Sequence, residues 1–169
     1  MAEEIVNRVS KSKLVTIELE DFYPEGDRVV LDISKWLHEG LILKEKEFRD
    51  NVQEHNWKKY NGCYVALNCL TDAIIPSWAY LLITVKLGPY AKKIVVGNLE
   101  LLETVIFQDI ISNLNMETYR DKPVIIKGCT NTPIPETAPV QLIEKLLPIA
   151  KTIMFGEACS TVPLFKREK

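Results

Sequence analysis

Apolar and β-branched residues crowd the segments LVTIELEDF and RVVLDI between positions 13 and 34. YPEGD separates them with Pro and Gly turn chemistry, which predicts an N-terminal β-hairpin. Residues 44–56, KEKEFRDNVQEHN, switch to helical spacing, with Phe48, Val52 and His55 on one face of a polar segment. This predicts an amphipathic surface helix whose charge run is a solvated face. From residue 64 the pattern repeats: a shift of 59 residues lays YVALNCLTDAIIPSWAYLLITVKLGPYAKKIVVGN on PVIIKGCTNTPIPETAPVQLIEKLLPIAKTIMFGE without a gap. Identities fall at Val65/Val124, Thr71/Thr130, Ile75/Ile134, Pro76/Pro135, Ala79/Ala138, Leu87/Leu146, Pro89/Pro148, Ala91/Ala150, Lys92/Lys151, Ile94/Ile153 and Gly97/Gly156.

Each copy reads as a strand, a turn ending in Ile-Pro, a helix closed by a Pro, and a second strand ending in Gly, which is a βαβ unit. The Pro of Ile-Pro stands where a helix starts and its missing N–H costs nothing. The first helix, SWAYLLITVKL, is apolar nearly all round and is expected to be the more deeply buried. The second carries Leu142, Ile143, Leu146 and Leu147 on one stripe. Between the copies LELLETVIFQDIISNL reads as a third helix with Asn98 as N-cap. Together these predict a three-layer α/β fold: a mostly parallel sheet built from two repeated βαβ units, preceded by the hairpin. One domain is expected over 1–169, with the hairpin and first helix in 1–60 and the repeated core in 64–157.

If both units share one sheet with helices on both faces, right-handed crossovers make their first strands neighbours, in the order 2-1-3-4. Ligands then bind beyond the carboxyl ends of the strands where the order reverses. That crevice is flanked by two turns, Cys69–Pro76 and Cys129–Pro135.

The net charge of −2 comes without a basic block, so nucleic acid is not an expected partner. The acidic start, MAEEIVNRVSKSK, lacks the apolar core of a signal peptide. The longest apolar stretch is broken at Pro76 and Ser77, so no membrane span is expected and the cytoplasm is the expected location. The four cysteines form no C-x-x-C pair and read as reduced thiols.

Cys69 and Cys129 leave their strands at the predicted crevice, and the fourth strand runs into Glu157-Ala158-Cys159 at the same edge. Three thiolates with His55 or Asp72 as a fourth ligand suit zinc first, and iron or an iron–sulfur cluster second. A second reading makes Cys129 a nucleophile: backbone N–H groups of a helix-starting turn favour its thiolate, and Asp72, Asn131, Ser160 and Thr161 line the site. A third is a non-enzymatic interaction module in which the cysteines are buried packing groups. No G-x-S-x-G, G-x-G-x-x-G or P-loop signature is present. Trp36, Trp57 and Trp78 read as packing groups, and Lys166, Arg167 and Lys169 as an ordinary solvated terminus.

EEIVNRVSKSKLVTIELEDFYPEGDRVVLDI, WAYLLI after Ile-Pro, KGC at 127–129 and MFGEACSTVPLFK at 154–166 together resemble a bacterial family, domain-of-unknown-function family 2480, over essentially the whole chain. The resemblance implies a soluble cytoplasmic protein of the Bacteroidetes group. It also implies an association with iron–sulfur cluster assembly, and hence a protein partner in that process. The cysteines in the matching strings are Cys69, Cys129 and Cys159, and His55 lies in the EHNW segment. The family carries no assigned activity.

Overall fold

The computed structural model describes residues 13–128, 131–157 and 159–168. The strands are β1 (Val15–Ile17), β2 (Arg28–Asp32), β3 (Tyr64–Asn68), β4 (Lys93–Val96), β5 (Pro123–Ile126), β6 (Thr152–Glu157) and β7 (Ser160–Lys166). The helices are α1 (Glu45–Glu54), α2 (Ser77–Leu87), α3 (Leu99–Asn113) and α4 (Thr137–Leu146). All pairings are parallel except that of β6 with β7, and the fold class is α/β as expected. The chain divides into a terminal unit, 1–23 with 107–169, and an inserted unit, 24–106.

The strands form two sheets, β1-β5-β6-β7 and β2-β3-β4, rather than the single sheet of order 2-1-3-4. A strand has only two edges to pair. The free edge of β3 is taken by β2 and that of β5 by β1, so the first strands of the repeats are not neighbours. The same pairings dissolve the expected hairpin. β1 and β2 enter different sheets, and the chain after β1 folds into a 3-10 turn at Leu19–Phe22 anchored by buried Leu19. In each sheet the parallel strands follow chain order without reversal, so neither contains a topological switch point.

In the inserted unit α1 and α2 cover one face of the sheet. Phe48 and Val52 of α1 share a core with Ala79, Ile83 and Leu87 of α2 and with Val65 and Leu67 of β3. Trp57 is buried there, and Trp36 and Trp78 pack against it. The apolar helix α2 buries only that stripe: Leu81 and Val85 on its outer side are 64% and 72% exposed, so it is not sealed all round as expected. In the terminal unit Phe107 and Ile111 of α3 and Ala138, Leu142 and Leu146 of α4 pack on Val124, Ile126, Ile17 and Ile153. Asn98 Oδ1 accepts the Leu101 N–H at 2.9 Å, the N-cap read from the sequence.

The repeat is longer in three dimensions than in the sequence. Val65 pairs with Ile94 and Val124 with Ile153, the same register 59 positions apart. The Lys92 N–H donates to the Cys63 carbonyl at 2.8 Å, and Lys151 to Lys122 at 2.9 Å. Gly62 donates to Tyr90 at 3.0 Å and Asp121 to Ile149 at 2.8 Å, and both donors take a left-handed backbone, with φ of 75° and 55°. Upstream, the 3-10 turns Trp57–Tyr60 and Met116–Tyr119 correspond and share Asn56/Asn115 and Tyr60/Tyr119. The added edge strands correspond too, Val15 opposite Val124 and Val29 opposite Val65, which makes Glu18 and Asp32 equivalent residues just before a 3-10 turn.

The sequence pattern does not predict β7 and places Lys166 and Arg167 in a solvated terminus. This strand closes the open edge of β6, and Arg167 beyond it donates to Asp121 Oδ1 and to the Pro148 carbonyl, each at 2.8 Å.

Candidate functional site

With the switch point gone, the carboxyl ends of β1, β5 and β6 in the terminal unit still converge on a cavity of about 300 Å³. Its apolar lining is Leu19, Ile134, Pro135, Pro139 and Phe155, and its polar lining is Glu18, Glu20, Lys127 and Glu136. That is the usual make-up of a small-molecule site: mostly apolar walls with a few convergent polar groups.

Each wall has a local cause. Lys127 follows β5 directly, and its N–H extends the ladder to the Ile17 carbonyl at 2.9 Å. Its ammonium lies 2.9 Å from Glu18 Oε1 and 4.0 Å from Glu157 Oε2. The hydrogen bond to Glu18 holds the Lys127 pKa above its ordinary value, so the group stays cationic. Glu20, in the 3-10 turn after β1, accepts from the Asn131 and Thr132 N–H groups at 2.9 and 3.0 Å and from the Thr132 hydroxyl at 2.6 Å. This carboxylate pins the far side of the turn between β5 and α4. Gly128 lets the Phe155 ring come close: a Cβ there would lie 2.5 Å from the far end of that ring, which would have to shift. Pro135 then opens α4, its carbonyl accepting the Ala138 N–H at 2.9 Å.

The residues singled out from sequence are distributed between the two units. Cys129 lies outside the described residues. Cys159 is exposed in the connection from β6 to β7, at the carboxyl end of β6 in the terminal unit. Cys69 belongs to the inserted unit, just past β3 and half-buried, with its Sγ 3.5 Å from both the carbonyl and the hydroxyl oxygen of Thr71. Asp72 follows it in the same turn. His55 caps the end of α1, where Nε2 lies 3.0 Å from the Tyr60 hydroxyl and the ring packs edge-on against Trp36 and Trp57. Burial, then the charge of Lys59, lowers its pKa and keeps it neutral. Among the described residues no three His, Cys, Asp or Glu side chains gather as a metal-holding group, and Cys63, Cys69 and Cys159 are free thiols. No described helix is long and apolar enough to cross a membrane.

Sequence reasoning pointed to the turn after β5 but missed Glu18, Lys127 and Phe155. The signal for Lys127 and Gly128 was available, since they begin that turn. Glu18 entered through the pairing of β1 with β5, which no local pattern announces.

No curated protein and no solved structure matches the chain. A family model does match, over residues 3–167, and by it the chain belongs to the family described as protein of unknown function (DUF2480).

Proposed function

We propose that the chain binds a small molecule in the cavity at the carboxyl ends of β1, β5 and β6 and acts on it with the thiol of Cys129. The observation that carries this reading is the cation of Lys127, fixed between Glu18 and Glu157 on the cavity wall two positions ahead of Cys129 in the chain. A neighbouring cation lowers a thiol pKa and raises its reactive thiolate fraction at neutral pH. Timed alkylation with iodoacetamide at pH 7, mapped by mass spectrometry, tests it. Cys129 is expected to label at least about tenfold faster than exposed Cys159, and Lys127→Met to remove most of that advantage. Equal rates for Cys129 and Cys159 would overturn the reading.

A second reading keeps the metal- or sulfur-handling role, with Cys129 and Cys159 as ligands, in connection with iron–sulfur assembly. It is favoured by the free, exposed thiol of Cys159 at the carboxyl end of β6, the neighbour of the strand that leads to Cys129. Elemental analysis of protein purified without chelator or affinity metal decides it. About one zinc or iron per chain, lost in Cys129→Ser, is the supporting result, and metal unaffected by that substitution the opposing one.

A further inference from the structure

The inserted unit carries a cavity of its own, about 340 Å³, running along β2 toward the turn that holds Trp36. Trp36, Tyr60 and His55 supply its aromatic side, and Lys35 and Lys59 its cations. The one carboxylate on the wall, Asp32, is already engaged: it accepts from the Ser34 N–H at 3.0 Å, the Ser34 hydroxyl at 2.7 Å and the Leu70 N–H at 3.2 Å. Among the described residues no carboxylate forms an ion pair with Lys35 or Lys59. Lys59 instead stands 5.1 Å over the centre of the Tyr60 ring. His55 is neutral, its imidazole set beside the Tyr60 hydroxyl, so the wall presents two ammonium groups against one committed carboxylate. The Trp36 indole is half-buried and held by edge contacts to Phe48, His55 and Trp57 with ring centroids 5.9, 4.9 and 5.9 Å away, which leaves it a rigid surface on the cavity.

We propose that this cavity is a binding site for a small aromatic carboxylate, whose charge is taken by Lys35 and Lys59 and whose ring lies against Trp36. Charge-assisted contacts from two cations orient the anion, and the flat ring gains from an aromatic wall that is already ordered. The volume suits a ligand of one ring rather than a nucleotide.

Benzoate, titrated into the full chain and followed by the indole N–H signals of the three tryptophans, tests the proposal. Trp57 is the internal control, because its buried indole donates to the Val52 carbonyl at 2.9 Å. Saturable displacement of the Trp36 signal is expected, with a Kd on the order of 1 mM for so small a ligand. Neutral benzamide, of the same shape, is expected to bind at least about tenfold more weakly, and so is benzoate to K35M/K59M. No saturable shift with benzoate, or equal binding of benzamide, overturns the proposal on the unaltered protein. An equal Kd in the double variant overturns the roles of the two lysines.

Discussion

Gly128 concentrates several demands on one residue. It follows Lys127, the one cation among the described residues on the wall of the terminal-unit cavity, precedes Cys129, and lets the Phe155 ring lie where a Cβ would stand. Its equivalent in the inserted unit is Cys69, which carries a side chain and bonds to Thr71, so the two copies diverge at the point where one builds a cavity wall. Gly128→Ala therefore drives the far end of the Phe155 ring out of place. Because that ring is 38% exposed and can swing outward, the cost is expected to be only about 1 kcal/mol, read as a modest fall in the unfolding midpoint. Phe155→Leu in the same chain is expected to recover most of that loss; equal midpoints for the single and double variants would mean that the contact with Phe155 is not what makes glycine necessary.

At the scale of elements, the periodicity of the chain revealed what is local and missed what is not. The βαβ units, the Ile-Pro helix starts and the Asn98 cap were readable because each depends on residues a few positions apart. The sheets were not, because β1 and β2 choose partners about a hundred and about thirty-five residues away in register with Val124 and Val65, and no spacing rule encodes that choice. The candidate site inherited this limit: the turn after β5 was named, while Glu18, delivered by β1, was not. Arg28 at the start of β2 shows how such a distant join is held. Its Nε donates to Glu103 Oε1 of α3 at 2.7 Å with both side chains nearly buried, and its Nη1 donates to the Pro24 and Gly26 carbonyls. Arg28→Met removes the guanidinium from this nearly buried pair with Glu103 and is expected to cost about 3 kcal/mol, whereas the paired change R28M/E103M is expected to cost clearly less. Chemical denaturation of the two variants separates them; a double variant as unstable as the single one would show that the Glu103 charge is not the source of the loss.

For the molecule as a whole, the acid side of the stability profile follows from groups the fold perturbs. Burial, followed by the positive charge of Lys59, depresses the His55 pKa below its ordinary value of 6.5. As pH falls through about 6.5 the unfolded chain takes up a proton at this position before the folded chain does, so stability declines from there and levels off once the folded imidazole also titrates. Asp32 adds a lower window. Burial raises its pKa, but the hydrogen bonds from Ser34 and Leu70, together with the nearby Lys35 charge, outweigh that and leave it below its ordinary value. Its contribution is complete above the unfolded carboxylate pKa and is lost as pH drops through the folded one. Glu117 moves in the same direction, held down by its hydrogen bond to Arg120, but that pair is exposed and solvent-screened. The urea midpoint is therefore expected to fall in two stages, first between pH 7 and 5 and again below pH 4. His55→Gln is expected to flatten the first stage alone and Asp32→Asn the second. A first stage that survives His55→Gln would mean that burial beside Trp36, Trp57 and Tyr60 does not hold His55 neutral.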